Sequence, residues 1–157
     1  MRGYFNRPDE TAQALNNGWL RTGDVGQFDE DGYLYIVDRK KDMVLSGGYN
    51  IYCKEVEACI GEIPEVSDAA VIGVPDSMFG ESVAAFLELR PGSEIDAQRV
   101  VDHCRNRMAS YKKPKYVHVV NFLPRNSMGK VLKTQLRELA AVIFSAEPTP
   151  PSNNANG

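Results

Sequence analysis

Hydrophobic residues recur at three- and four-residue spacing in three stretches of this chain and form short strand-length blocks between them. Val56, Cys59, Ile60 and Ile63 fall on one stripe, which predicts a helix from Tyr52 to Glu62. Residues 95–108 repeat the pattern through Val100, Val101, Cys104 and Met108, with Asp96 placed near the cap. A third stripe, Leu132, Leu136, Leu139 and Ala140, predicts a closing helix over residues 131–144. Val66 to Val74, Ser82 to Leu89 and Tyr116 to Val120 read as strands, the first two separated by a turn around Pro75-Asp76 and a loop through Gly80. Met43-Val44-Leu45 reads as a short strand entering the turn at Gly47-Gly48.

Upstream the pattern is thinner. Pro8 suits a first helical position, Asp9 and Glu10 its positive end, and Gly18 its stop, so residues 8–15 predict a short helix. Val25 to Phe28, the turn residues Asp29-Glu30-Asp31-Gly32, and Tyr33 to Val37 read as a β-hairpin. The chain then becomes polar and basic at Asp38 to Asp42, the candidate boundary and hinge. Residues 42–144 are expected to form a small α+β domain whose strands are covered by helices on one side. The Pro- and Asn-rich residues 145–157 have little to bury and are expected to be a disordered tail.

Composition narrows the classes. A chain of 157 residues has room for one compact domain and an attached segment. A net charge of −3 offers no general attraction to nucleic acid or an anionic membrane, so no nucleic-acid partner is expected. No apolar run is long enough for a membrane span. Met1 to Asn6 lacks the apolar core of a secretory signal, which points to a cytoplasmic setting. Cys53, Cys59 and Cys104 contain no C-x-x-C pair, so neither a disulfide framework nor a metal site is expected. His103 and His118 read as packing or surface residues.

Four polar loops remain: Thr22-Gly23-Asp24, Asp38 to Asp42, Leu45 to Ile51 around Ser46-Gly47-Gly48, and Pro124 to Lys133. Alone, each has an ordinary explanation as a turn or a solvated basic run. Together, in this order and at these separations, they resemble the nucleotide-handling motifs of acyl-CoA synthetases. Those enzymes belong to the adenylate-forming superfamily, with coumarate ligases, firefly luciferases and the adenylation domains of peptide synthetases. The resemblance runs from Gly3 to about Ala141 and is to the C-terminal third of such an enzyme.

The resemblance implies roles residue by residue. Asp24 would accept hydrogen bonds from both ribose hydroxyls of ATP, as a carboxylate can. Arg39 would contact the same nucleotide with its fixed fork of donors, and Asn50 falls at a further ATP/AMP-site position supporting the glycine loop. Lys41 stands at the pivot about which the small domain rotates, where relatives carry Asp or Lys. Ser46, Gly47 and Gly48 would line the channel for the pantetheine arm of coenzyme A, the glycines permitting close backbone approach. Lys130 would be the catalytic cation. When a carboxylate attacks the α-phosphorus of ATP, an ammonium between the two anions offsets their repulsion. Cys53 departs from the usual proline at that helix start, and Lys40 and Lys133 read as surface residues.

The resemblance also marks what this sequence does not contain: a Ser/Thr/Gly-rich phosphate loop, the Glu that positions Mg2+, and an acyl pocket. It assigns residues 1–38 to the end of a large N-terminal adenylation domain, 39–41 to a hinge and 42–144 to a lid, with Met1 read as an internal methionine. ATP, Mg2+ and CoA would then serve the complete enzyme, with none held firmly here. The partners would be the large domain, in cis or in trans, a fatty or aryl carboxylic acid, and CoA. Alone, the chain is expected to be inactive. A non-catalytic remnant or docking module, and the C-terminal part of a peptide-synthetase adenylation domain, remain alternatives.

Overall fold

The computed structural model describes residues 1–144; the expected tail at 145–157 lies outside the described residues. The body is a five-stranded sheet, mixed with helices as an α+β fold. Its strands are β5 (Val44–Ser46), β6 (Tyr49–Ile51), β7 (Val66–Asp76), β8 (Gly80–Leu89) and β9 (Tyr116–Val120). β8 is central. One edge pairs antiparallel with β7 along its length, and the other is shared by β5 at Gly80 and by β9, which runs parallel from Ala84 to Glu88.

Both faces of this sheet are covered, not one as the sequence pattern suggested. Val71, Val83, Ala85 and Leu87 pack with Val56 and Ile60 of α2 (Cys53–Gly61) and Val100 and Cys104 of α3 (Ala97–Arg107). The alternate residues Ala70, Ile72, Val74, Ala84 and Phe86 pack with Leu136 and Ala140 of α4 (Lys133–Phe144). The reason is visible in β8, where Val83 to Leu87 form an unbroken apolar run; a strand with one wet face would alternate. Leu139, placed on the α4 stripe by spacing, is 38% exposed. Asp96 caps α3 as expected, its carboxylate accepting from the Gln98 amide at 3.1 Å.

Three turns differ from the reading above. β7 continues through Pro75 and Asp76, which pair with Glu81 and Gly80, so the reversal falls at residues 77–79. Proline is tolerated there because β7 is an edge strand of the sheet. Gly47 and Gly48 have φ of 55° and 84°, the left-handed pair a two-residue hairpin needs, so the loop is a hairpin and β6 an additional strand. Gly18 does not stop α1 (Pro8–Ala14). With Asn17 (φ 48°) it turns β1 (Leu15–Asn16) into β2 (Trp19–Leu20).

The expected hairpin is present as β3 (Asp24–Phe28) and β4 (Leu34–Arg39), with a bulge between Val25 and Gly26. At its end Asp38 is buried. Its carboxylate accepts from the amides of Arg39 at 2.7 Å and Lys54 at 3.3 Å, tying the hairpin to the first turn of α2.

Candidate functional site

Lys130 lies on a short loop whose backbone is closed on itself. The Leu132 amide donates to the Pro124 carbonyl at 2.7 Å, the Asn126 amide donates to the Lys130 carbonyl at 2.9 Å, and Arg125 bridges to Val131. The Asn126 side-chain oxygen accepts from the amides of Met128 and Lys130, at 3.0 and 2.9 Å. Arg125 adds a bond to the Gly129 carbonyl and an ion pair with Asp68 of β7. The side chain of Lys130 is different. It is exposed and has no hydrogen-bond or ion-pair partner among the described residues. A fixed base thus carries a free ammonium.

Lys133, three residues on, is not the surface residue its sequence position suggested. Its ammonium is 2.7 Å from Glu57 on α2, and the two side chains are 17% and 22% exposed. The same Glu57 oxygen accepts from the Val71 amide at 2.9 Å, so one carboxylate joins α2, the outer edge of β7 and α4. Burial pulls the Lys133 pKa down, but Glu57 and the nearby Cys53 and Asp42 outweigh it and raise it overall, so Lys133 stays charged.

The glycine loop occupies another end of the sheet. The Gly47 amide donates to the Phe79 carbonyl at 2.9 Å, and a Cβ at Gly47 would sit 3.3 Å from the Phe79 ring. Beside it opens a groove of about 750 Å³ lined by Ser46, Gly47, Tyr49, Phe79, Tyr111 and Lys113 among others. Tyr49 and Tyr111 stack directly on each other in its wall, with centroids 4.5 Å apart and planes 20° from parallel. Stacked rings and ammonium groups suit a flat base bearing phosphates. Phe79, Tyr111 and Lys113 escaped the sequence reading because Phe79 enters from the β7–β8 turn and the other two from the segment that precedes β9.

Asp24 and Arg39 are brought together. They are register partners of the β3–β4 hairpin, with Arg39 Nε 3.0 Å from Asp24 Oδ1, and the Lys40 amide closes the end of the hairpin on the Gly23 carbonyl at 2.8 Å. Asn50 is exposed on β6, opposite Leu45, and belongs with the glycine hairpin rather than with that pair. Lys41 is exposed just past β4, and its carbonyl accepts from Arg137 of α4 at 3.4 Å. Cys53 is fully buried with its thiol donating to the Asp42 carbonyl at 2.7 Å, and burial pushes its pKa up to about 12. Burial likewise raises Cys59, and takes Cys104 to about 12. His103 lies 2.9 Å from the Cys59 carbonyl, and His118 packs edge-on against Phe86.

The two candidate loops are far apart. The Lys130 loop is fastened at Asp68, near the start of β7, while Gly47 meets the β7–β8 turn beyond Asp76. Eight residues of strand separate those points, roughly 26 Å at about 3.3 Å per residue. Among the described residues no helix is long and apolar enough to cross a membrane, and no group of three acidic, His or Cys residues could hold a metal ion.

Residues 55–130 match the AMP-binding enzyme C-terminal domain. The chain is 49% identical over 138 residues to the long-chain-fatty-acid–CoA ligase FadD13 of Mycobacterium tuberculosis, covering 88% of this chain and 27% of that protein. Among solved structures it resembles ATP-bound MatB from Rhodopseudomonas palustris, with TM-score 0.83, 42% identity, and coverage of 91% of this chain and 29% of that one. It also resembles the o-succinylbenzoate CoA synthetase MenE from Bacillus subtilis in complex with its acyl-adenylate intermediate, with TM-score 0.81, 41% identity, and coverage of 87% and 28%. The chain spans between a quarter and a third of the length of these relatives.

Proposed function

Since this chain belongs to the adenylate-forming superfamily and corresponds to the C-terminal portion of an acyl-CoA synthetase, we propose that it is the moving lid of an AMP-forming acid–CoA ligase. In the first half-reaction a carboxylate oxygen attacks the α-phosphorus of ATP and the bond to pyrophosphate breaks. Lys130 reaches into the large domain and offsets the charge gathering on the transferring phosphoryl group. Asp24 and Arg39 exchange their mutual ion pair for contacts with the nucleotide's ribose. In the second half-reaction the thiol of CoA attacks the acyl carbonyl, AMP leaves, and the Ser46-Gly47-Gly48 hairpin lines the thiol's path.

The observation that carries this reading is the free ammonium of Lys130 on a rigid loop, at the far end of the β7–β8 hairpin from the glycine loop. One body with two reactive edges, at opposite ends of the long strand β7, serves two steps by turning between them, and the exposed Lys41 is the pivot. The groove beside Gly47, with its stacked tyrosines, takes the nucleotide end of CoA. Among the described residues no group of three acidic, His or Cys side chains could hold magnesium. The large domain supplies the phosphate loop and the acid pocket, covers residues 1–38, and sets whether the acid is fatty or aryl. The enzyme works in the cytoplasm, and the chain alone does not turn over.

The test joins this chain at Gly3 to the large domain of the M. tuberculosis relative and follows pyrophosphate and AMP release separately. We expect Lys130→Ala to lower pyrophosphate release by about 10²–10³-fold, with the isolated chain releasing no AMP. An unchanged rate in Lys130→Ala would remove the catalytic assignment and leave the docking reading, which the exposed rings of Phe5 and Trp19 favour.

A further inference from the structure

We propose that Asp76 is a positioning residue whose single carboxylate holds the glycine hairpin and the aromatic wall of the groove in one geometry. Asp76 ends β7, yet its side chain is only 4% exposed. One oxygen accepts from the amides of Met78 and Phe79, at 2.9 and 3.0 Å. The other accepts from the Ser82 hydroxyl at 2.5 Å and the Lys115 ammonium at 2.7 Å. The first pair of bonds would be an ordinary turn. The second pair reaches β8 and the segment entering β9, so three separate pieces of chain meet on one side chain.

All three line the groove. Phe79, Ser82 and Lys115 are wall residues together with Gly47. Phe79 is the link: its amide is held by Asp76, and its carbonyl accepts from the Gly47 amide at 2.9 Å. Next to it Glu81 accepts from the Leu45 amide at 2.8 Å, a second tie between the same turn and the same hairpin. The chain of contacts runs from carboxylate to turn to glycine loop, without Asp76 itself lining the groove. Hydrogen bonding to Lys115 first, then to Ser82 and the two amides, holds the Asp76 carboxyl well below the usual range, so it is ionised whenever the groove is in use.

The catalytic consequence rests on the proposed role of the groove in CoA binding; the structural coupling does not. Amide hydrogen exchange and a CoA titration, both by NMR on the whole 157-residue chain, separate the two. In Asp76→Ala we expect exchange at Gly47 to rise about tenfold while Leu87 and Ile60 change by less than about twofold. Asp76→Asn keeps an oxygen for the two turn amides, so most of the Gly47 protection returns. CoA-dependent shifts at Gly47 and Tyr111 in the parent chain should weaken in Asp76→Ala. Unchanged Gly47 exchange in Asp76→Ala overturns the inference, and so does a loss of protection shared equally by Leu87 and Ile60. If Gly47 responds but the parent chain shows no CoA shifts, Asp76 keeps its positioning role and the CoA reading of the groove fails.

Discussion

Phe28 and Phe86 are both aromatic residues on strands of antiparallel hairpins, and their fates are opposite. Phe86 on β8 is fully buried between the sheet and α4, while Phe28 on β3 is 67% exposed. The contrast extends to the regions around them. Every buried hydrophobic residue lies from Val44 onward, whereas Phe5, Trp19, Tyr33, Tyr35 and Ile36 are all more than half exposed. A two-stranded hairpin has no layer of its own to bury such rings against, while the five-stranded sheet has one on each face. Hydrophobic content in a sequence therefore states a demand for burial but not which surface meets it. For residues 1–38 the large domain proposed above would supply that surface.

The comparison breaks first at its two phenylalanines. We expect Phe86→Ala to cost about 3–5 kcal/mol in urea denaturation, and Phe28→Ala no more than about 0.5 kcal/mol. Equal losses would make the β3–β4 hairpin part of the folding core. A smaller effect belongs to the pair Lys133–Glu57, which joins elements within the body only. Breaking a fully buried ion pair costs about 3–5 kcal/mol, so this partly solvated one should lose roughly 1–3 kcal/mol in Lys133→Met. The double change Lys133→Met with Glu57→Leu should recover part of that, and a double variant no better than the single would show that the pair is not the cause. The smallest effect is chemical. All three cysteines sit in the body, and with pKa near 12 Cys53 and Cys104 hold only about one thiolate in ten thousand at pH 8. The folded chain should resist alkylation on a timescale that labels all three thiols in urea; fast labelling of the native chain would show that the body opens.

Several elements were legible because their signals are local. The helical stripe of α2, the Asp96 cap and the paired glycines at 47 and 48 each depend on residues within a few positions of one another. Asp24 and Arg39 lie farther apart in the chain, and it is the register of the hairpin that places them face to face, a pairing the sequence pattern did not predict. Lys133 was misread because its partner Glu57 lies far back in the chain, and nothing in the spacing of polar residues distinguishes it from Lys130. Phe79, Tyr111 and Lys113 share a groove only because β8 lies between neighbours from distant segments.

The order of residues by itself determined the three helices of the body, its longer strands and which loops carry glycine, lysine and acid, since those follow from periodicity and backbone freedom over short range. Only the folded sheet decided that Lys133 is paired while Lys130 is exposed, that Asp76 reaches three segments, and that the Lys130 loop and the glycine hairpin stand at opposite ends. Such facts are sums over contacts between distant parts of the chain, and no local pattern encodes them.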